Sequence, residues 1–179
     1  MTSIGNLRYP IGEHNRPHAY TDAELQKWIS DIESLEKNIS DLVSGWSAEQ
    51  LNTPYREGGW NVRQVLNHLY DSHIHAYVRM KFALTEENPT IKPYFEARWA
   101  ELPDATTEQV ADAIRLLGLH HERWVRLMKS LTHAQWHRTF FHPDHQRNIP
   151  LWEQVHMYSW HSRHHFAHIA ELAKRMGWK

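Results

Sequence analysis

His161 and His165 stand four residues apart in the segment Trp160-His161-Ser162-Arg163-His164-His165-Phe166-Ala167-His168. On an α-helix that spacing stacks two side chains on one face, within reach of one metal ion. Zinc proteins with the HExxH motif use the same geometry, but their glutamate base is absent here, since position 162 is serine. The pair cannot close a site alone, because zinc takes a third and often a fourth donor. His68, His73 and His75 lie in another apolar-periodic segment and can supply it. His68 lies between Leu66 and Leu69, which points it toward a packed interior. His75 returns to nearly the same face and is the first alternative, and His168 stands in the same relation to His161. The chain has 16 histidines, so a pair at this spacing also arises by chance, and the plain alternative is a solvated or hydrogen-bonded histidine face. His14, His18, His120, His121, His133, His137, His142 and His145 fit that plain alternative, because they fall in loops or on mixed faces.

These side chains need rigid elements to hold them. Residues 1–20 show no periodicity and carry Pro10, Gly12 and Pro17, which predicts an extended arm lying on a domain that spans 21–179. Thr21-Asp22-Ala23-Glu24 is a capping box, and Leu25, Trp28, Ile29, Ile32, Leu35, Ile39, Leu42 and Val43 repeat behind it at helical spacing. This predicts a first long helix over 21–44. Ser47-Ala48-Glu49-Gln50 opens a short helical turn, and Asn61 with Gln64 opens a second long helix over 62–84. Residues 85–104 hold Pro89, Pro93 and Pro103 and read as loop, with one helical turn around Phe95 to Trp99. A third helix starts at Thr107, and a fourth starts with Pro150 as its first residue and ends at Gly177. No segment alternates with period two for long, so the fold class is all-α, a four-helix bundle. A faint repeat relates Gly45–Leu51 to Ser130–Trp136, each followed by an aromatic loop and a helix with a Gln-Val pair. The tryptophans Trp28, Trp124 and Trp160 fall on apolar positions and read as core.

Composition narrows the function further. The formal net charge is -1, which leaves no basic footprint for a nucleic acid. With no cysteine, disulfides, thiolate ligands and a cysteine nucleophile are excluded. No signal peptide is visible at the amino terminus, and no run is apolar enough to span a membrane, so a cytoplasmic location is expected.

Longer motifs then carry a resemblance. Tyr9-Pro10-Ile11-Gly12, Thr53-Pro54-Tyr55-Arg56-Glu57-Gly58-Gly59-Trp60, Val62-Arg63-Gln64-Val65, His68-Leu69, Asp71-Ser72-His73, Leu84 to Ile91, Phe141-His142-Pro143-Asp144-His145 and Trp160-His161 with Arg163-His164-His165 resemble the DinB/YfiT family, specifically its YfiT-type metal-dependent hydrolase or bacillithiol-transferase branch. That resemblance runs from about Leu7 to the carboxyl end. It implies up-down-down-up connectivity and a homodimer. It also implies one zinc or nickel ion per chain on His68, His161 and His165, and so places His68 ahead of His75. Three imidazoles leave coordination positions open, which is the catalytic pattern. A metal so held lowers the pKa of a bound water or thiol, so hydrolysis and transfer of a low-molecular-weight thiol such as bacillithiol to an electrophile are both open. Any thiol has to arrive with a small-molecule cosubstrate. The alternative is a non-catalytic bundle that metal merely stabilises. Asp71, Glu57, Glu153 and Asp144 are candidates to orient the ligand rings, and Trp60, Tyr158 and Arg163 candidates to shape the pocket.

Overall fold

The computed structural model describes residues 7–107 and 109–178, so the first six residues of the expected arm, together with Glu108 and Lys179, lie outside it. The elements run α1 (Asp22–Glu33), α2 (Leu35–Val43), α3 (Ala48–Leu51), α4 (Val62–Thr85), α5 (Glu96–Trp99), α6 (Pro103–Thr107), α7 (Val110–Lys129), α8 (His133–Trp136), β1 (Thr139–His142), β2 (Arg147–Pro150) and α9 (Leu151–Met176).

Local chemistry sets most of these boundaries. Thr21 accepts from the Glu24 amide while the Glu24 carboxylate accepts from the Thr21 amide at 2.7 Å, and Ser47 with Gln50, Asn61 with Gln64 and Thr132 with Gln135 repeat the device. Gly177 ends α9 in the left-handed region at φ 67°, where a Cβ would be strained. Thr21→Ala removes the first of these caps and is expected to cost about 1 kcal/mol in a urea unfolding titration; an unchanged midpoint would show that α1 does not need it.

The expected first helix is interrupted. Ser34 donates its hydroxyl to the Asp31 carbonyl at 3.4 Å, a local bond that competes with the helical ladder, and the helix divides into α1 and α2 there. Two further boundaries differ. The third long helix begins at Val110, after the separate turn α6, and Pro150 is the extended cap before α9, not its first helical residue. Pro150 also closes a hairpin of two four-residue strands, in which Phe140 faces Ile149 and Thr139 faces Pro150. Strands this short do not show a period-two signature in sequence.

Contacts fix the direction of each long helix. Lys129 pairs with Glu33 while Gly118 approaches Glu36, so α7 runs against α1 and α2. Trp28 meets His156 and Ser159 donates to Asp31, so α9 runs with α1. His68 meets His161 while Gln154 donates to the Ala76 carbonyl, so α9 runs against α4. His73 meets His121 while Trp124 donates to Met80, so α7 runs with α4. The bundle is therefore up-down-down-up. The crossover between parallel α4 and α7 takes residues 86–109, pinned where Ile91 donates to the Phe141 carbonyl. The faint sequence repeat corresponds to a repeated structure. Each copy is a capped turn, then an antiparallel bridge (Pro54 to Asn61; β1 to β2), then a long helix.

The apolar core is in two blocks. One holds Trp28, Ile32, Met80, Trp124, Met128, Val155 and Tyr158. The other holds Leu35, Ile39, Val65, Leu66, Leu69, Leu117 and Ile169. Between them lies a layer of buried histidines, His68, His73, His121, His161, His164, His165 and His168. The arm crosses α9 beside this layer: Trp160 donates to the Gly12 carbonyl, and the rings of His14 and His156 meet at 3.1 Å. Among the described residues no helix is long and apolar enough to cross a membrane.

Candidate metal centre

Helix α4 carries His68 inward because Val65, Leu66 and Leu69 around it are buried in the second apolar block. Helix α9 carries His161 and His165 on one face, one turn apart and opposite His68. One nitrogen from each of the three rings lies within 4.8 Å of the other two. His68 Nε2 and His161 Nε2 are 3.1 Å apart. Two nitrogens bound tetrahedrally at zinc distances would stand about 3.3 Å apart, so the rings are set for an ion between them. The donor set fits too. Burial holds His68 down to about 4 and, with the neighbouring histidines, holds His161 and His165 well below the ordinary histidine value. All three are therefore neutral at pH 7, with lone pairs ready to bind and no proton to expel.

The rings behind them fix which nitrogen is bare. His168 donates Nε2–H to the Arg8 carbonyl at 3.0 Å, which leaves its Nδ1 as an acceptor. His165 Nδ1, 3.4 Å away, is then the donor, and His165 Nε2 carries the free lone pair. His161 has a longer file behind it. His161 Nδ1 lies 3.2 Å from His73 Nε2, and His73 Nδ1 lies 2.8 Å from His121 Nε2. The last nitrogen, His121 Nδ1, is buried without a well-aligned partner, and the nearby Ile32 carbonyl favours a proton on it. That proton sets the direction of the file, so His161 Nε2 is left bare as well.

This arrangement corrects two expectations. The ring-orienting partners of His161 and His165 are neutral imidazoles, not carboxylates. Glu153 instead forms a two-point ion pair with Arg147, and Glu57 and Asp144 are exposed. His121 and His142, read from sequence as surface or mixed-face histidines, are buried. The signal for His121 was present: it continues the stripe Leu117, His121, Trp124, Met128, which is buried throughout. His73, offered from sequence beside His68 and His75 as a third donor, is fully buried and instead stands behind His161. His75 takes no part, since it stacks on Tyr94 at 4.2 Å and tilts against Trp99 at 5.2 Å.

Of the pocket candidates, Trp60 lies 4.6 Å from the His68 ring and 6.4 Å from that of His165, where it covers one side. Tyr158 is buried 5.6 Å from the His161 ring and donates its hydroxyl to the Ser72 carbonyl. Arg163 is exposed and pairs with Asp31 at 3.3 Å, so it ties α9 to α1 and not to the centre. A cleft of about 400 Å³ opens from His68 and His161 past Ser72 and Tyr158 toward Arg79, Tyr94 and His142.

Residues 31–169 match the model of the DinB superfamily. The chain is 46% identical over 178 residues, covering 99% of both chains, to the Bacillus subtilis (strain 168) protein named "Putative metal-dependent hydrolase YfiT". It is 42% identical over 178 residues, covering 99% of this chain and all of the relative, to a Geobacillus kaustophilus (strain HTA426) protein given the same functional name. Its fold is similar to the solved structure of Bacillus subtilis YfiT, described as a "probable metal-dependent hydrolase with an unusual four-helix bundle topology". The TM-score is 0.94 at 45% identity, over 97% of this chain and 99% of that one.

Proposed function

Because the chain belongs to the DinB superfamily and gathers three neutral imidazoles around one point, we propose that it is a metal-dependent enzyme of the YfiT type. His68, His161 and His165 would hold one divalent ion, and the observation that carries this reading is their mutual approach within 4.8 Å. An all-imidazole set suits zinc, which commonly takes three histidines with a position left open, and accepts nickel. A divalent ion there supplies Lewis acidity, polarising a bound oxygen or sulfur and making that group more acidic near neutral pH.

The chain's own residues supply orientation and enclosure. His168 and His73 keep a proton on Nδ1 of His165 and His161, so both rings present Nε2. Trp60 shuts one side from water, and the cleft beyond Ser72 and Tyr158 admits a small molecule. No negative charge from these ring partners offsets the cation, so its acidity toward a fourth ligand stays high.

Within this class we favour transfer of a low-molecular-weight thiol, such as bacillithiol, to an electrophile, ahead of hydrolysis. Position 162 of the HxxxH segment is serine, so the glutamate base of the HExxH proteins is not supplied there. A thiol made acidic at the centre needs no such base. The chain has no cysteine, so the thiol is a substrate. Bacillithiol conjugation to monochlorobimane is expected to stop with a chelator and return with zinc. Chelator-sensitive ester or amide turnover without thiol dependence would instead select hydrolysis. A third reading follows from the ligands joining α4 to α9: metal that only staples the bundle would lower the melting temperature sharply on removal, with no turnover on either panel.

A further inference from the structure

Helix α4 buries a charge that the three-histidine centre does not use. Arg79 is 9% exposed, and its Nε is buried with no hydrogen-bond partner. Its one recorded bond is a long one, 3.4 Å, from a terminal nitrogen to the Lys92 carbonyl. Among the described residues no carboxylate lies within ion-pair distance of it. Glu153 is taken by Arg147, and Asp144 and Glu96, which line the same cleft, are exposed at its rim. A guanidinium this buried without a counter-charge is destabilising, so its retention needs a reason.

Position supplies one. Arg79 lines the cleft that His68 and His161 line, and also the adjoining cavity beside Phe140 and Gln154. His142 on β1 lines both as well, and its Nδ1 is buried and unpartnered. Two buried side chains, each with one nitrogen lacking a partner, thus line one space. Eleven residues separate His68 from Arg79 on α4. That is about three turns, so they share a face, roughly 16 Å apart along the axis. Helical side chains lean toward the N-terminus, and the longer Arg79 reaches further back than His68, so the guanidinium lies nearer the centre than the helix offset alone.

We propose that Arg79 and His142 form an anion subsite that takes a carboxylate or phosphate of the substrate, in the cleft that the three-histidine centre shares. This rests on the reading that reaction occurs at His68, His161 and His165. It narrows the substrate to an elongated small acid. The fork of Arg79 can donate to two oxygens of the anion at once, and His142 can donate to a third or share one.

Titration calorimetry tests it, with inorganic phosphate and succinate as probes and uncharged succinamide as control. Wild type, Arg79→Gln and Arg79→Met would be compared, each as purified and after chelation, with metal counted in every sample. Both anions are expected to bind wild type in either metal state, about tenfold or more tightly than they bind Arg79→Gln, and succinamide should not bind. Without ligand, Arg79→Met is expected to melt about 3 °C or more above wild type, because it removes an unpaired buried charge. Equal binding to wild type and Arg79→Gln, no binding to wild type, or a lower melting temperature for Arg79→Met would each overturn the subsite. Metal content separates the two ideas. One ion per chain without anion binding removes only the subsite, while anion binding through Arg79 in a protein that takes up no metal removes only the proposed centre.

Discussion

His161→Ala is expected to take bound divalent metal from about one ion per chain to a trace, with metal-dependent turnover lost alongside it. His161 is the ring with neighbours on both sides: Nε2 faces His68 and Nδ1 faces His73. Two remaining imidazoles on separate helices are too few to hold zinc against solvent. Loss of a ligand should exceed the 10–100-fold that loss of an orienting partner costs in affinity, so His73→Gln is expected to weaken binding within that range and keep the stoichiometry at saturating metal. His75→Ala is the control, since its ring lies on Tyr94 away from the centre. Elemental analysis of protein made without a polyhistidine tag reads all three. Full metal in His161→Ala would refute the site, and loss in His75→Ala would point to unfolding instead.

The second large effect is acid instability of the metal-free protein beginning near pH 6.5. Burial holds His68, His164 and His168 down to about 4 and His121 to about 3. Their folded values lie below the unfolded value of 6.5, so as pH falls through that window the unfolded chain takes up protons that the folded chain refuses. Stability is complete above 6.5 and is lost toward pH 4 to 3. One such histidine is worth about 3 kcal/mol over that span, and the group, being mutually coupled, gives less than the sum. Urea midpoints between pH 7.5 and 4.5 in chelator should therefore fall well before carboxylates titrate. A flat profile down to pH 5 would contradict a neutral buried layer. Metal should move the fall to lower pH, because the ion competes with protons for the same nitrogens.

The sequence shows the bundle clearly because its signals are local. Thr21 with Glu24, Ser47 with Gln50 and Asn61 with Gln64 are read at three-residue range, and each forms the reciprocal cap. The His161–His165 pair is equally local, and only the choice of His68 over His75 needed the family resemblance. What stayed hidden depends on distant partners. His73 and His121 are 48 residues apart, and although His121 continues an apolar stripe, nothing in either segment shows that the two rings meet. The tautomers are set by carbonyls of Arg8 and Ile32 on other elements. The hairpin that delivers His142 is too short to alternate, and the division at Ser34 depends on one side-chain bond inside an otherwise unbroken apolar stripe.

The proposed ligands His68 and His161 are 93 positions apart, and two of the three lie on α9, which follows every other described element. In time rather than space, this orders maturation. A ribosome-bound chain that has released α1 through α7 offers one imidazole, too few to capture an ion. The layer it would bury is also incomplete, since α9 supplies four of its rings, His161, His164, His165 and His168. Capture of an ion at the proposed centre would thus wait for α9, and a truncated product lacking α9 would leave the ion in solution.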